Sequence, residues 1–472
     1  MDSYRIIEEG INLNNKVYLP TSASFLVTED CNLACTYCFE LDGRNKNKMT
    51  KEVARKGLEY LCNNAIKNGD GDFHAMLFGG EPLLNVEVVE EIFEYGVELA
   101  NKNNLNFTTS MVTNATILTT EVKRIINTYK NRANLNVQLS VDGIKEVHDK
   151  YRITRGGKGS FDIIENNIPE WKVLFADNMD RLSVHGCSNH DTLPYLYENY
   201  IFFREEWDIP RIWFMPIHSE TWSNEDVKVY EEQLNKIADY ILDRARKEGN
   251  YQEVINYAPI DRCLSHDSFP SAPCGAGKNF ITITADGELF PCHQIYFNDP
   301  EKITKLGDLD SGIDEPKRSI YVNYDNSDLS CAKLDPDCDA YHCYRCIAEN
   351  LSQNGSILSV VGCGAERCAM SKIERKIQLR VRKEIENMGL LNRNSNYNNS
   401  DCRCDSRTTP LCDVVVDCDG NARGLNSTQN NNCNCGDGLA DSETIAMALK
   451  LILDKIDTLD KGQEYILKKL LK

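Results

Sequence analysis

The stretch Ser24–Glu40, SFLVTEDCNLACTYCFE, sets three cysteines, Cys31, Cys35 and Cys38, at C-x3-C-x2-C spacing directly after an apolar, β-rich run. A structural zinc site closes a tetrahedron with four ligands, typically from paired C-x2-C or Cys/His sets. Three thiols grouped alone leave one position open, and thiolates are the ligands of iron-sulfur clusters. The spacing therefore favours a [4Fe-4S] cluster with one iron free for a small ligand over a zinc site short of its fourth ligand.

The run before Cys31 is the first of six of the same kind: ASFLVT, HAMLFGG, FTTSMVT, LNVQLSV, RLSVHG and IWFMPI. Amphipathic stretches at helical period separate them, such as NVEVVEEIFEYGVELANK and NEDVKVYEEQLNKIADYILDRARK. Strands alternating with helices predict a parallel sheet, and six of them predict an α/β fold of the partial (β/α)6 TIM-barrel type over residues 22–250. Chemistry in such folds sits at the C-terminal ends of the strands, which is where CNLACTYC and FGGEP both fall.

The 472 residues carry a formal charge of -19, a field that disfavours nucleic acid and anionic membrane as partners. No run approaches the ~18 apolar residues of a membrane span and the N-terminus has no apolar signal core, so a cytoplasmic location is expected. Without an export signal, twenty cysteines read as metal ligation or thiol chemistry rather than disulfides. Cys62 and Cys187 stand apart from the clusters and read as small buried hydrophobes. Beyond a short extension at 1–21, the expected units are the 22–250 sheet, a cysteine-rich region at 251–436 and a helix at 437–472. The cysteine-rich region has short strands, turns and few apolar residues, and is expected to need metal to hold together.

With its aromatic Tyr37, the motif Cys31, Cys35, Cys38 resembles the C-x3-C-x-aromatic-C signature of the radical S-adenosylmethionine (SAM) superfamily. Gly79, Gly80, Glu81 and Pro82 resemble that family's GGEP motif, whose backbone holds the methionyl amino group. Glycines there permit close backbone approach. TSMVTNATIL places Asn114 after the third strand, and QLSVDGIKEVHDKYRITRGGKGSF after the fourth resembles the S-x-D-G, H-D, R, G-S-F run of members with cysteine-rich extensions, including anaerobic sulfatase maturases. The resemblance implies that Ser140 and Arg152 hold the SAM carboxylate, a good match for a guanidinium. Met215 is an adenine-pocket candidate as well as a core candidate. Asp142 as a turn residue and His148 as a surface histidine are the commoner readings of those two.

Cys274 and Cys292, in CGAGKNFITITADGELFPCH, fit the C-x12-G-x4-C opening of a SPASM domain through Gly287. The rest departs from the usual C-x2-C-x5-C-x3-C, since sixteen residues separate Cys346 from Cys363. The resemblance implies two auxiliary [4Fe-4S] clusters, one on Cys274, Cys292 and Cys368 and one on Cys343, Cys346 and Cys363. Cys338, Cys402 or Cys404 is the fourth ligand of the second cluster, while Cys263, Cys331 or a substrate thiolate completes the first. Cys412 to Cys435 stay unassigned.

Three clusters and SAM imply a 5′-deoxyadenosyl radical that removes hydrogen from an unactivated carbon. The expected partners are a cysteine-containing ribosomal precursor peptide and a reductant such as flavodoxin or ferredoxin. Thirty residues before Cys31 are too few for a recognition domain, so leader recognition is expected to use another surface of the chain or a separate protein. Sulfatase maturases place an aspartate base directly after the SPASM cysteine. Here PCH places His293, which favours a thioether-forming maturase over formylglycine formation and makes His293 the catalytic candidate. A non-catalytic electron carrier would need neither the open iron nor the glycines.

Overall fold

The computed structural model describes residues 18–40, 46–217, 220–252, 257, 260, 275–323, 346–358 and 366–390, with the backbone of 415–416 and 422–423. The chain divides into two compact units, Met1–Asn392 and Arg393–Lys472. The described part of the second is a two-stranded antiparallel pair, Val415–Val416 with Ala422–Arg423. The helix expected at 437–472 lies outside the described residues.

The first unit is built on β1 (Ser22–Thr28), β2 (Asp72–Gly79), β3 (Asn106–Thr113), β4 (Leu135–Ser140), β5 (Leu182–Ser188) and β6 (Arg211–Pro216). These six, all parallel and adjacent in chain order, match the six runs read from the sequence. The connections carry α1 (Lys51–Asn68), α2 (Val86–Asn103), α3 (Thr120–Tyr129), α4 (Lys145–Tyr151), α5 (Phe161–Leu174), α6 (Leu196–Ile201) and α7 (Asn224–Glu248).

The helices start and stop where their caps dictate. Thr50 accepts from the Val53 N–H to open α1, and Gly69 closes it in the left-handed conformation. Ser223 and Asp226 form a reciprocal capping box on α7.

Strand residues alternate between the two faces of the sheet. Phe25, Phe73, Leu77, Phe107, Met111, Leu139, Val184 and Phe214 are buried in one core with the helices. Each such side chain contributes roughly 1.5–3 kcal/mol by leaving water. Apart from the buried Leu26, positions of opposite parity are mostly polar or half-buried: Ser24 bonds Thr282 at 3.0 Å, and His74 bonds Thr108 and Ser110. This second face carries the site.

The sheet does not stop at six strands. β7 (Phe280–Ile283) pairs parallel with β1, and β8 (Glu288–Phe290), β9 (Gly307–Asp308) and β10 (Gly312–Ile313) continue antiparallel, giving ten strands in the order β10-β9-β8-β7-β1-β2-β3-β4-β5-β6. α8 (His293–Phe297), α9 (Glu315–Val322), α10 (Ile347–Asn354) and α11 (Glu366–Asn387) follow. The expectation that this region lacks apolar support is corrected over 275–323: Ile281, Ile283, Leu289, Ile295 and Leu306 are buried in the main core.

Candidate active site

The loop after β1 is fixed along its length by backbone hydrogen bonds. Gly80 N–H donates to Thr28 O at 2.8 Å and Glu81 N–H to Asp30 O at 2.9 Å, while Ala34 N–H reaches Ile153 O at 2.8 Å and Thr36 N–H reaches Tyr151 O at 3.0 Å. Strand β2 thus clamps its start and the segment after α4 clamps its middle. Cys31 and Cys35 are buried around Leu33, with Cys38 packed against them. Two donors turn toward Cys31 Sγ, the Leu33 N–H at 3.4 Å and Asn114 Nδ2 at 3.7 Å.

The glycines of FGGEP are required by this clamp. A Cβ on Gly79, which holds φ +110°, would stand 2.2 Å from Thr28 O, and one on Gly80 would stand 2.2 Å from Asp30 O. Glu81 is fully buried, and its carboxylate accepts from Thr113 Oγ1 at 2.8 Å, Asn114 N–H at 2.7 Å and Leu83 N–H at 3.1 Å. Burial outweighs those donors and raises its pKa to about 7. Its oxygens tie β3 to β2 through protein donors. Ala115, directly after Asn114, is buried at φ +61°, a conformation costly for a residue with a Cβ, and it turns the chain as it leaves β3.

At the end of β4, Asp142 is a hub. Its Oδ2 accepts from Tyr37 OH at 2.6 Å; its Oδ1 lies 2.9 Å from Arg152 Nε and accepts the Cys187 N–H at 3.0 Å. The Arg152 guanidinium also lies over the Tyr37 ring, 5.4 Å from its centre. The turn reading of Asp142 misses this. The surface reading of His148 is corrected: it is fully buried, Nδ1 accepting the Asp142 N–H at 3.3 Å and Nε2 meeting Ser160 Oγ at 2.9 Å. Burial lowers its pKa to about 4, so it is a neutral strut.

Ser140, His185 and Trp213 are register partners across β4, β5 and β6, and Cys187 pairs with Met215 one step closer to the strand ends. Tyr37, His185 and Cys187 are half-buried. Burial pushes the Cys187 thiol up to about 12 and the His185 imidazole down to about 4. Neither was a site candidate in the sequence, although their alternation with Val184 places both on the site face. Cys62, by contrast, is buried in α1 as expected.

α8 lies against the same face at β1 and β2. Leu26, Phe290, Tyr296 and Phe297 form a small core with Phe78, and Tyr296 OH donates to the buried Glu29 at 2.6 Å. His293 opens α8 with its ring 4.2 Å from Phe78 and 6.0 Å from Phe39. Its Nδ1 is buried without a hydrogen bond to any described residue, and burial lowers its pKa to about 4. Cys292 caps α8, and the Cys346 thiol meets Gln294 Oε1 on the same helix at 3.1 Å, so these two candidate ligands flank one element. Cys368 lies in α11. Cys274, Cys338, Cys343 and Cys363 lie outside the described residues, as do Cys263, Cys331, Cys402 and Cys404.

The donor set fits the implied cluster. The three cysteines pack in one small cluster with Leu33, and two N–H donors reach Cys31 Sγ, as a charged sulfur ligand requires. Among the described residues, no three His, Cys, Asp or Glu side chains converge on a single-ion position. No described helix is long and apolar enough to cross a membrane.

A ten-stranded α/β sheet bearing a three-cysteine loop at the end of its central β1 defines the class, and residues 25–193 match the model of the Radical SAM superfamily. This part of the chain is a radical SAM domain. The chain is 28% identical over 289 residues to the cysteine-type anaerobic sulfatase-maturating enzyme of Clostridium novyi (strain NT), covering 58% of this chain and 74% of that protein. It is 23% identical over 294 residues to the antilisterial bacteriocin subtilosin biosynthesis protein AlbA of Bacillus subtilis (strain 168), covering 59% of this chain and 56% of that one. Its fold is similar to that of native anSMEcpe with bound AdoMet and Kp18Cys peptide, with TM-score 0.61 and 20% identity over 79% of this chain and 100% of that chain.

Proposed function

We propose that this chain is a radical SAM peptide-modifying enzyme that installs thioether crosslinks, cysteine sulfur to carbon, in a ribosomally made precursor peptide. The observation that carries the reading is the buried three-cysteine loop clamped against Gly79 and Gly80, with Asn114 aimed at Cys31. Bound on Cys31, Cys35 and Cys38, a [4Fe-4S] cluster with SAM would supply a 5′-deoxyadenosyl radical able to abstract hydrogen from an unactivated carbon.

The chain's own residues then bind and orient. The site face of the sheet is taken as the inner wall of a partial barrel. The backbone at Gly79 to Glu81 and the side chain of Asn114 would border the SAM amino group, and Ser140 with the terminal nitrogens of Arg152 would take its carboxylate. Met215 would line the adenine side. The burial of Asp142 and Arg152 would limit water at the reacting centre. Cys292, Cys346 and Cys368, with Cys274, Cys338, Cys343 and Cys363, would carry two auxiliary clusters of a SPASM region. Reduction by a flavodoxin or ferredoxin, and leader recognition by a separate protein, complete the proposal.

His293 favours thioether formation. It stands where formylglycine-forming relatives place an aspartate, and its neutral ring among Phe39, Phe78 and Phe280 suits a thiol better than a charged partner. The second reading, oxidation of a cysteine or serine to formylglycine, is favoured by the similarity to the Clostridium novyi enzyme.

Anaerobic co-expression with a cysteine-rich peptide, read by mass spectrometry, tests the two. Loss of two hydrogens per crosslink with cysteines that no longer alkylate is expected. A residue that instead reacts as an aldehyde overturns thioether formation in favour of formylglycine.

A further inference from the structure

We infer that Asp142 is a positioning residue of the site, a latch that sets the cysteine loop against Arg152. The inference rests on the reading of Cys31, Cys35 and Cys38 as the holders of a SAM-cleaving cluster, and not on the peptide reaction.

Tyr37 lies between Cys35 and Cys38, so whatever fixes its ring fixes the second half of the loop. Its hydroxyl is held by Asp142 Oδ2 at 2.6 Å, while Oδ1 of the same carboxylate faces Arg152 Nε at 2.9 Å and accepts the Cys187 N–H of β5 at 3.0 Å. Arg152 closes the triangle by lying over the Tyr37 ring at 5.4 Å. The carboxylate side chain is 1% exposed and the guanidinium side chain 10%.

The carboxylate is itself pinned from behind. The Asp142 N–H donates to His148 Nδ1 at 3.3 Å, and its carbonyl accepts from Asn199 Nδ2 at 3.3 Å. Ser160 Oγ, which meets His148 Nε2, donates to the Arg152 carbonyl at 2.7 Å. Both ends of the ion pair are thus anchored on the same buried histidine and serine.

A buried ion pair is a poor way to gain stability compared with apolar packing of the same volume. What it supplies is direction. With Asp142 Oδ1 2.9 Å from Nε, no protein hydrogen bond among the described residues engages the terminal guanidinium nitrogens, which leaves them available to a second anion. One carboxylate therefore sets both the loop that carries the thiols and the cation beside it.

The test uses the full chain, reconstituted anaerobically with iron and sulfide, as wild type, Asp142→Asn and Tyr37→Phe. Tyr37→Phe removes only the hydroxyl and guards against misfolding of the charge variant. The readouts are iron per chain, the electron paramagnetic resonance spectrum of the reduced cluster with and without SAM, and 5′-deoxyadenosine formed without peptide.

Both variants are expected to keep wild-type iron, since the thiols are untouched, and to give an altered spectral response to SAM. Their 5′-deoxyadenosine rates should fall, by about 10–100-fold for Asp142→Asn, the size of loss common for outer residues that orient a metal site. A wild-type spectral response and rate in both variants overturns the inference. So does loss of iron in Asp142→Asn alongside wild-type behaviour of Tyr37→Phe, which would make Asp142 a strut of the fold. Failure of the underlying reading shows in the wild type, as bound iron with no response to SAM, and the inference falls with it.

Discussion

Two single positions show how little freedom the site has. A methyl group on Gly80 would meet the Asp30 carbonyl oxygen at 2.2 Å, and neither backbone can give way without moving the cysteine loop. Gly80→Ala is therefore expected to destabilise the apo chain by about 3 kcal/mol, the top of the ordinary range for one substitution, in a denaturant melt. It is also expected to abolish 5′-deoxyadenosine formation. Glu81 gives a pH signature. Its pKa rises from the ordinary 4.5 to about 7, so the folded chain favours the protonated form. The stability this group contributes is full below about pH 4.5 and is lost as pH rises through 7, a change of about 3 kcal/mol. The stability difference between wild type and Glu81→Gln should fall across that window and be flat above it; a difference constant from pH 4 to 8 would contradict the assignment. At this scale the sequence was legible for Cys31, Cys35, Cys38, Gly79 and Gly80, whose spacing is local. It was not legible for Asp142, whose partners Tyr37 and Cys187 are 105 and 45 residues away.

At the scale of elements, β1 to β6 could be read because each is a β-rich run whose pattern is contained within it. β7 could not be placed. Its four residues signal a strand, but only pairing with β1, across more than 250 residues, makes it part of the main sheet. α8 is equally non-local: five residues long, it has no helical stability of its own and depends on Leu26, Phe78 and Phe290 beneath it. The Tyr296 hydroxyl bond to Glu29 joins α8 to the strand that leads into the cysteine loop. Tyr296→Phe should cost about 1.5–3 kcal/mol in a thermal or denaturant melt, as expected for a buried hydrogen bond to a carboxylate. An unchanged midpoint would mean that apolar packing alone seats the helix.

For the molecule as a whole, the continuous sheet puts both the cysteine loop and α8 near the carboxyl ends of β1 and β2. The formal charge of -19 disfavours polyanionic partners. Replacing His293 by Ala is expected to spare peptide-independent SAM cleavage while lowering the yield of crosslinked peptide in mass spectrometry; equal loss of both would return His293 to a purely structural place among its aromatic neighbours. The central claim is that Cys31, Cys35 and Cys38 hold a cluster that cleaves SAM. Its most direct test is the anaerobically reconstituted chain with dithionite and SAM, with 5′-deoxyadenosine quantified for wild type and for Cys31→Ala, Cys35→Ala and Cys38→Ala. The account predicts product from the wild type and none from any variant. An iron-loaded wild type that makes no 5′-deoxyadenosine, or variants that make it undiminished, would contradict it.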